Sequence, residues 1–331
     1  MINIIQLGMG PLGCKMTNYI RDRKTVRTVA AVDPDPRKAG TDVGILAGGP
    51  DYGVEVRSDL RAALWSAEHR PQVALVTTVS DMDRITPQIA ACLEQGLAVV
   101  STCEELFYPW DESPELAQSL DQLAKDHGVA LVGTGVNPGF LMDTLPAQLT
   151  AVCQRVDRIE VHRVQDASKR RVPFQRKIGA GLSPEDFANR KADGSLRHVG
   201  LTESMQFIAQ ALGWTLDRTE DVIQPVIVKE ARTFPDLSVP AGYAAGVLQT
   251  GNGYIGDEAV IKLIFRAAVG EPESYDEIII HGEPNLRSRI EGGVNGDVAT
   301  CAISINACRS VLEASPGLHT MATLPMVSNS R

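Results

Sequence analysis

The first third of the chain alternates apolar runs with amphipathic segments. "INIIQL" (2–7) is a continuous apolar run, typical of a strand buried on both faces. Leu12, Met16 and Ile20 follow at spacings of four, which predicts a helix. The further predicted strands are "VRTVAAVD" (26–33), "QVALVTTVS" (72–80), "LAVVS" (97–101) and "VALVG" (129–133), the last of the series. Strands and helices that alternate through short connections predict a doubly wound parallel sheet.

Two helices lie between the later strands of this series. Ile85, Ile89 and Leu93 share one face of the first, and Gly96 stops it. The second is expected to begin with Ser113 as N-cap and Pro114 as its first residue, and to end at Gly128.

The pattern changes after residue 140. Longer runs with partial period-two alternation predict a second, largely antiparallel sheet, and a helix carrying Met205 and Ile208 interrupts it. These runs are 158–165, 221–230, 259–269 and 276–283. The segment 296–314 is predicted to be helical and to pack back on the first domain. We therefore expect a first domain at 1–137 joined by 297–331, and a second domain at 138–296.

The amino-acid composition limits the kinds of partner that the protein is expected to bind. With 41 acidic against 32 basic residues the net charge is -9, which disfavours nucleic acid and anionic membranes and favours a small molecule. The six cysteines show no Cys-x-x-Cys pair or metal-ligand spacing, so no metal site is predicted. The chain opens without a cationic and apolar leader, and we expect a cytoplasmic protein.

The first predicted strand runs into a G-x-G-x-x-G motif that opens the first predicted helix. The strand, the motif and an acid about twenty residues later together specify a dinucleotide-binding loop far better than the glycines alone. The fold class predicted is α/β, a Rossmann-type doubly wound parallel sheet with a second α+β domain. The loop residues expected to contact the cofactor are Gly8, Met9, Gly10, Pro11, Leu12 and Gly13.

Asp33 ends the second strand and is expected to accept hydrogen bonds from the adenosine ribose, which favours NAD over NADP. Arg37 could reach a 2'-phosphate or stack on adenine, so dual use of NAD and NADP stays open, as does a solvated role for this side chain.

Ligands of such sheets bind at the carboxyl ends of the strands, which selects the loops 77–81, 101–106 and 133–140. Further cofactor contacts are expected from Thr77, Thr78, Val79, Thr102 and Asn137. Topology also brings Glu104 and Glu105 to the nicotinamide end. If this loop is extended, only one carboxylate faces the substrate, and which one stays open.

Several stretches resemble the 2,4-diaminopentanoate dehydrogenase family, which includes NAD(P)-dependent amine dehydrogenases. They are "GTGVNPGFLMDTLP" (133–146), "STCEEL" (101–106), "HVGLTES" (198–204), "GGVNGDVAT" (292–300) and "PGLHTM" (316–321). The first domain is also similar to that of dihydrodipicolinate reductase, but the paired histidines with a following lysine and the Asp-Ala-Pro-Ser-Gly-Thr loop of that enzyme are missing.

The resemblance implies reversible oxidative deamination of a primary amine, or of a 2,4-diamino acid, to a ketone and ammonia. It implies a catalytic acid/base in the "STCEEL" loop, which maps to Glu104. It also implies that the first domain (1–137 with 297–331) binds the dinucleotide, and that the second domain (138–296) binds the substrate and forms a homodimer. Substrate contacts are expected from Glu104, Pro138, Phe140, Met142, Arg163, Phe174 and His198. Two alternatives stay open: an imine reductase of the dihydrodipicolinate reductase type, and an NAD(H) sensor without turnover.

Overall fold

The computed structural model describes residues 1–169, 172–196, 199–234 and 237–329. They form two compact units. Unit 1 contains Met1–Phe140 and the described residues from Asn295 onward, and unit 2 contains Leu141–Val294. Substrate binding and dimerisation by unit 2 stay predictions.

The described strands are short in unit 1 and longer in unit 2. In chain order they are β1 (Ile2–Leu7), β2 (Val26–Val32), β3 (Val56–Arg57), β4 (Val73–Val76), β5 (Ala98–Ser101), β6 (Ala130–Gly133), β7 (Arg155–Asp166), β8 (Arg218–Ile227), β9 (Arg232–Phe234), β10 (Leu237–Val239), β11 (Ala244–Ile255), β12 (Glu258–Ala268), β13 (Tyr275–Glu283), β14 (Leu286–Glu291) and β15 (Gly317–His319).

The described α-helices are α1 (Pro11–Arg21), α2 (Val43–Leu46), α3 (Leu60–Ser66), α4 (Met82–Glu94), α5 (Pro114–Asp126), α6 (Thr144–Leu149), α7 (Val172–Lys177), α8 (Pro184–Ala192), α9 (Leu201–Leu212) and α10 (Gly296–Glu313). Single 3₁₀ turns occur at Glu105–Phe107, Thr150–Val152 and Ala167–Lys169.

Unit 1 is built on a parallel sheet with the order β3-β2-β1-β4-β5-β6-β15. The order reverses between β1 and β4, as in Rossmann-type sheets, and the predicted fold class is confirmed. The prediction that 129–133 is the last strand is wrong, because Gly317–His319 pairs in parallel with β6. A three-residue strand next to turn residues carries too little periodicity to be seen in the sequence.

The core of unit 1 lies between this sheet and its helices. Ile85, Ile89 and Leu93 on α4 are fully buried, as their spacing predicts, and Met16 and Ile20 bury one face of α1. Each such side chain contributes roughly 1.5–3 kcal/mol of transfer free energy. The late helix α10 packs against α1 and β5 within this unit.

The start of α5 differs in one detail from the prediction. Pro114 occupies the first turn and Ser113 the N-cap position, but the Ser113 side chain makes no capping hydrogen bond. Its ψ of 54° lies outside the extended region that normally brings a serine hydroxyl over the first turn.

Unit 2 contains a six-stranded sheet with the order β14-β13-β7-β12-β11-β8. All neighbouring pairs are antiparallel except β7 and β12, so the sheet is largely antiparallel, as predicted. Strand β11 has no counterpart in the sequence prediction. Its Gly251 and Gly253 interrupt the apolar pattern, and the side chains of Met205 and Leu216 occupy the space that these glycines leave.

Within the described part of the chain, no helix has both the length and the apolar character that crossing a membrane would require.

Candidate active site

The carboxyl ends of four neighbouring strands of unit 1 lie in one row. Leu7 is paired with Val76, Val76 with Ser101, and Ser101 with Gly133. The glycine motif follows the first of these residues, and the three selected loops follow the others. Since neighbouring strands are about 4.8 Å apart, the loop after β5 leaves the sheet roughly 10 Å from the glycine loop.

The glycine loop is tightly closed at its two ends. Gly8 has a φ of +92°, and an added Cβ would lie 2.8 Å from the Thr77 carbonyl oxygen. A Cβ on Gly13 would lie 2.0 Å from the Gly8 carbonyl oxygen, so only glycine permits this approach of α1 to the loop. The Thr77 hydroxyl donates to the Gly8 carbonyl oxygen at 2.9 Å and braces the turn.

The middle of the same loop is open. A Cβ on Gly10 would meet no protein atom within 4 Å. Gly10 is also the N-cap of α1, whose first turn has no side-chain cap and no acidic residue, whereas Asp42, Asp59 and Asp81 cap α2, α3 and α4. Uncapped N–H groups beside open space suit a phosphate, so these residues fit the pyrophosphate of a dinucleotide.

Asp33 is buried at the end of β2 and already accepts three hydrogen bonds. Its Oδ2 accepts from the Met9 N–H at 2.8 Å and from Lys38 Nζ at 2.7 Å, and its Oδ1 accepts from the Asp35 N–H at 3.0 Å. Burial opposes ionisation, but these hydrogen bonds outweigh it and hold the pKa of Asp33 below its ordinary value. The carboxylate is therefore ionised at neutral pH.

Arg37 points away from Asp33. Its guanidinium forms an ion pair with Asp35 at 2.7 Å, and its side chain is 88% exposed. The cation beside Asp33 is Lys38, which the sequence reasoning did not select. Its position five residues after Asp33 was the available signal, but a loop of unknown shape does not distinguish it from Arg37.

The loop after β5 is not extended, so the alternation of side chains that an extended loop would give does not apply to Glu104 and Glu105. Glu104 has helical dihedrals and begins the 3₁₀ turn Glu105–Phe107. Glu105 Oε2 accepts from the Met82 N–H at 2.8 Å, at the amino end of α4, and the Glu105 N–H donates to the Ser80 carbonyl oxygen. Glu105 therefore ties the loop to the start of α4.

Glu104 has a different environment. Its side chain is half-buried, and within the described ranges its carboxylate makes no hydrogen bond or ion pair. Gly133 supports its loop from β6, because a Cβ there would lie 2.6 Å from the Leu106 carbonyl carbon. Of the two acids, Glu104 is the one whose oxygens are not engaged by described residues.

The side chains around this loop serve mainly in packing. Phe107 and Leu106 are fully buried, and Trp110 packs on the core while remaining partly exposed. Burial raises the pKa of the Cys103 thiol to about 12, with smaller contributions from Glu104 and Glu105, so a thiolate nucleophile is not favoured. The described residues contain no group of three or more His, Cys, Asp or Glu side chains arranged to hold a metal ion.

The remaining predicted cofactor residues of unit 1 lie on the loops at the same sheet edge. Thr78 is exposed and its hydroxyl donates to Gln88, whereas Val79 and Thr102 are half-buried. Asn137 and Pro138 are buried in the loop after β6. Phe140, predicted to contact the substrate, is half-buried at the end of this segment.

The other predicted substrate residues belong to unit 2. Met142 is fully buried, and Phe174 is half-buried in α7. Arg163 is 2% exposed and forms a 2.9 Å ion pair with Asp276, and it also donates to the Val294 carbonyl oxygen. A substrate role for these residues stays a prediction. His198 lies outside the described residues.

The sheet, the open glycine loop and the buried acid after β2 are the features of a Rossmann-type dinucleotide-binding fold, and a second, mixed-sheet domain follows it. A family model, the 2,4-diaminopentanoate dehydrogenase C-terminal domain, matches residues 140–330. The 2,4-diaminopentanoate dehydrogenase of Acetoanaerobium sticklandii is 31% identical over 98% of this chain and 94% of its own length. The chain belongs to the 2,4-diaminopentanoate dehydrogenase family, and the resemblance seen in the sequence is confirmed.

Two further proteins are similar to this chain along most of its length. The amine dehydrogenase of Streptomyces virginiae is 22% identical over 98% of this chain and 97% of its own. The solved structure of an amine dehydrogenase from Mycobacterium smegmatis has a TM-score of 0.85 at 24% identity, covering 99% of this chain and 97% of that one. Such a score over both units shows a common fold along the whole chain.

Proposed function

We propose that this protein is a nicotinamide-dinucleotide-dependent amine dehydrogenase. It would convert a primary amine, or a 2,4-diamino acid, into a ketone and ammonia, and would run the reaction in reverse as reductive amination. Family membership and the names of the relatives support the reaction class. The observation that carries the assignment of the catalytic group is the position of Glu104, two strands along the sheet from the dinucleotide loop, with a carboxylate that no described residue engages.

A bound nicotinamide dinucleotide supplies the hydride acceptor, and the amine carbon is left as an iminium cation. Glu104 would stabilise this cation with its negative charge. It would then accept a proton from the water that attacks the iminium carbon and return this proton to the nitrogen of the resulting hemiaminal. The carbon–nitrogen bond breaks to release ammonia as the hemiaminal hydroxyl loses its proton and becomes the ketone carbonyl. Overall, the protonated amine, the oxidised cofactor and water give the ketone, an ammonium ion, the reduced cofactor and one proton. In reductive amination the proton moves back from Glu104.

The fit of the glycine loop supports NAD or NADP as the cofactor. Asp33 favours NAD, because an ionised carboxylate binds ribose hydroxyls and repels a 2'-phosphate. The loop residues 8–13, Thr77, Thr78, Val79, Thr102 and Asn137 are retained as proposed cofactor contacts.

Substrate binding is proposed for Glu104 together with Pro138 and Phe140, and for Met142, Phe174 and His198 in the second domain. We retain Arg163 only as a less favoured contact, because Asp276 and Val294 already engage its guanidinium. A homodimer is also proposed, and a sizing measurement on the purified protein tests it.

The reaction is tested by following NADH and NADPH oxidation with a panel of ketones, with and without a carboxylate, in the presence and absence of ammonium. We expect ammonium-dependent oxidation. The preferred ketone would report whether the substrate carries a carboxylate. Turnover of cyclic imines without ammonium would favour an imine reductase, and dinucleotide binding without any turnover would favour a sensor.

The role of Glu104 is tested by comparing Glu104→Gln with the matched variant Glu105→Gln. Glu104→Gln should lower kcat at least about 100-fold with unchanged dinucleotide binding, since a general acid/base contributes roughly that much. Glu105→Gln keeps an amide oxygen that accepts from the Met82 N–H, so it should retain most activity. Equal activity in wild type and Glu104→Gln would refute the proposed acid/base role of Glu104.

A further inference from the structure

Two adjacent cations, Arg37 and Lys38, follow the ribose-site acid, and the structure gives them different partners. Arg37 lies on Asp35, which also accepts from the Arg37 N–H in a local turn. Lys38 lies on Asp33, with its Nζ 2.7 Å from Oδ2. The Lys38 side chain is 25% exposed and that of Asp33 is 9% exposed, so the pair is only partly accessible to water.

The hydrogen bonds of Asp33 limit how it can bind a ribose. An ionised carboxylate offers about four acceptor positions. The N–H groups of Met9 and Asp35 and the ammonium of Lys38 occupy three of them, and the position left open is on Oδ1. Two neighbouring ribose hydroxyls need two acceptors, so bidentate binding requires Lys38 to leave Oδ2.

The same pair changes the electrostatics for a phosphorylated ribose. A 2'-phosphate approaching an unpaired carboxylate meets a like charge at short range. With Lys38 on Asp33 the site has no net charge, and the ammonium can donate a charge-assisted hydrogen bond to the phosphate. Arg37 is less able to bind a phosphate, because two nitrogens of its guanidinium already donate to Asp35 and the side chain faces solvent.

We propose that Lys38 sets the choice between NAD and NADP by moving between Asp33 and the 2'-phosphate of NADP, and that Arg37 has no part in this choice. This inference rests on the proposed function for the presence of a dinucleotide, and it names the residue that admits the phosphorylated form. Lys38 acts as a cofactor-specificity residue and takes no part in the chemistry at the amine.

The test measures binding of NADH and NADPH, without any amine, by fluorescence titration of wild type, Lys38→Met and Arg37→Met. Calorimetry with adenosine 5'-monophosphate and adenosine 2',5'-bisphosphate reports the ribose end alone. Arg37→Met is the matched control, since it removes the neighbouring cation and leaves the Asp33–Lys38 pair in place. Lys38→Arg, which keeps a cation, is a second variant, and circular dichroism checks that each variant is folded.

Wild type should bind the two dinucleotides within about tenfold of each other. Lys38→Met should weaken binding of NADPH and of the bisphosphate about tenfold or more, which is the effect of losing one charge-assisted hydrogen bond. Its affinity for NADH should stay within about threefold of wild type, because the ribose of NADH binds Asp33 without the help of Lys38. Arg37→Met should change the ratio of NADPH to NADH affinity by less than about threefold. Lys38→Arg should retain most of the wild-type affinity for NADPH.

An equal loss of both dinucleotides in Lys38→Met, or a selective loss of NADPH in Arg37→Met, would overturn the inference. Exclusion of NADPH by wild type beyond about 100-fold would overturn it too. Binding of neither dinucleotide would refute the inference and the proposed function together. If the ratio of NADPH to NADH affinity depends on Lys38 but no ammonium-dependent turnover is found, the proposed function is refuted and the inference about Lys38 stands.

Discussion

Two glycines of one loop are expected to respond in opposite ways to the same change. In Gly10→Ala the added Cβ meets no protein atom within 4 Å, and the φ of -76° suits any residue. In Gly13→Ala the added Cβ lies 2.0 Å from the Gly8 carbonyl oxygen and 3.2 Å from Thr77 Oγ1. The first variant therefore changes the space outside the protein, and the second changes the packing inside it.

The magnitudes follow from these contacts. Gly10→Ala loses part of the N-cap preference for glycine but gains from a less flexible unfolded chain, so its free energy of unfolding should change by less than about 1 kcal/mol. Its affinity for NADH should fall about tenfold or more, because the methyl group occupies the space where a pyrophosphate would approach. Gly13→Ala must displace the backbone of the glycine loop, so its free energy of unfolding should fall by at least about 1–3 kcal/mol.

Urea unfolding followed by circular dichroism gives the stabilities, and NADH fluorescence titration gives the affinities. Wild-type NADH affinity in Gly10→Ala would refute the assignment of this open space to a dinucleotide. Wild-type stability in Gly13→Ala would refute the close approach of α1 to the loop. Gly10→Ala serves as the control for Gly13→Ala, since both add one methyl group within three residues.

Two further predictions concern the stability of unit 1, at Gly133 and at Asp42. The added Cβ of Gly133→Ala would displace the Leu106 backbone, so the free energy of unfolding in urea should fall by about 1–3 kcal/mol. The variant should also lower kcat more than it raises KM. Unchanged stability would contradict the distance of 2.6 Å between that Cβ and the Leu106 carbonyl carbon. Burial raises the pKa of Asp42, but hydrogen bonds from backbone N–H groups outweigh it and hold this pKa below the ordinary value of 3.8. The charge of Asp42 therefore stabilises the fold at pH values above 3.8. This contribution is lost as the pH falls through the pKa of the folded state. Asp42→Asn should be about 1 kcal/mol less stable at neutral pH, because the amide nitrogen cannot accept from the Val54 N–H as Oδ2 does. The difference should shrink in an acid titration followed by circular dichroism, and a constant difference would exclude the charge as its cause.

Local patterns were sufficient for the centre of unit 1. The run 2–7, the glycine motif and Asp33 lie within one strand-helix-strand unit, so their relation depends on short-range geometry that spacing encodes. Helices α4 and α9 were predicted for the same reason, since each carries a full apolar stripe. Strands β3 and β15, with two and three residues, depend on a neighbouring strand for their existence. Too few residues alternate in them for any periodicity to appear.

The choice between Lys38 and Arg37 shows a second limit. Asp35 accepts hydrogen bonds from both the N–H and the guanidinium of Arg37, and this local turn directs the two cations to different carboxylates. Sequence spacing identifies two basic residues shortly after Asp33, but the turn decides which of them lies beside its carboxylate. The decisive contacts are short in range and depend on side-chain hydrogen bonds that a hydropathy pattern does not contain.

The pair Glu104 and Glu105 depends on contacts that are longer in range. An extended loop would send the two side chains to opposite faces, whereas a 3₁₀ turn separates successive side chains by about 120°. Neither geometry alone decides which acid is free. The decision comes from Met82, because its N–H at the start of α4 has no helical acceptor and engages Glu105. Glu104 is thereby left with an unengaged carboxylate among the described residues, and this is why a glutamine at 105 can preserve the loop while a glutamine at 104 removes the proposed acid.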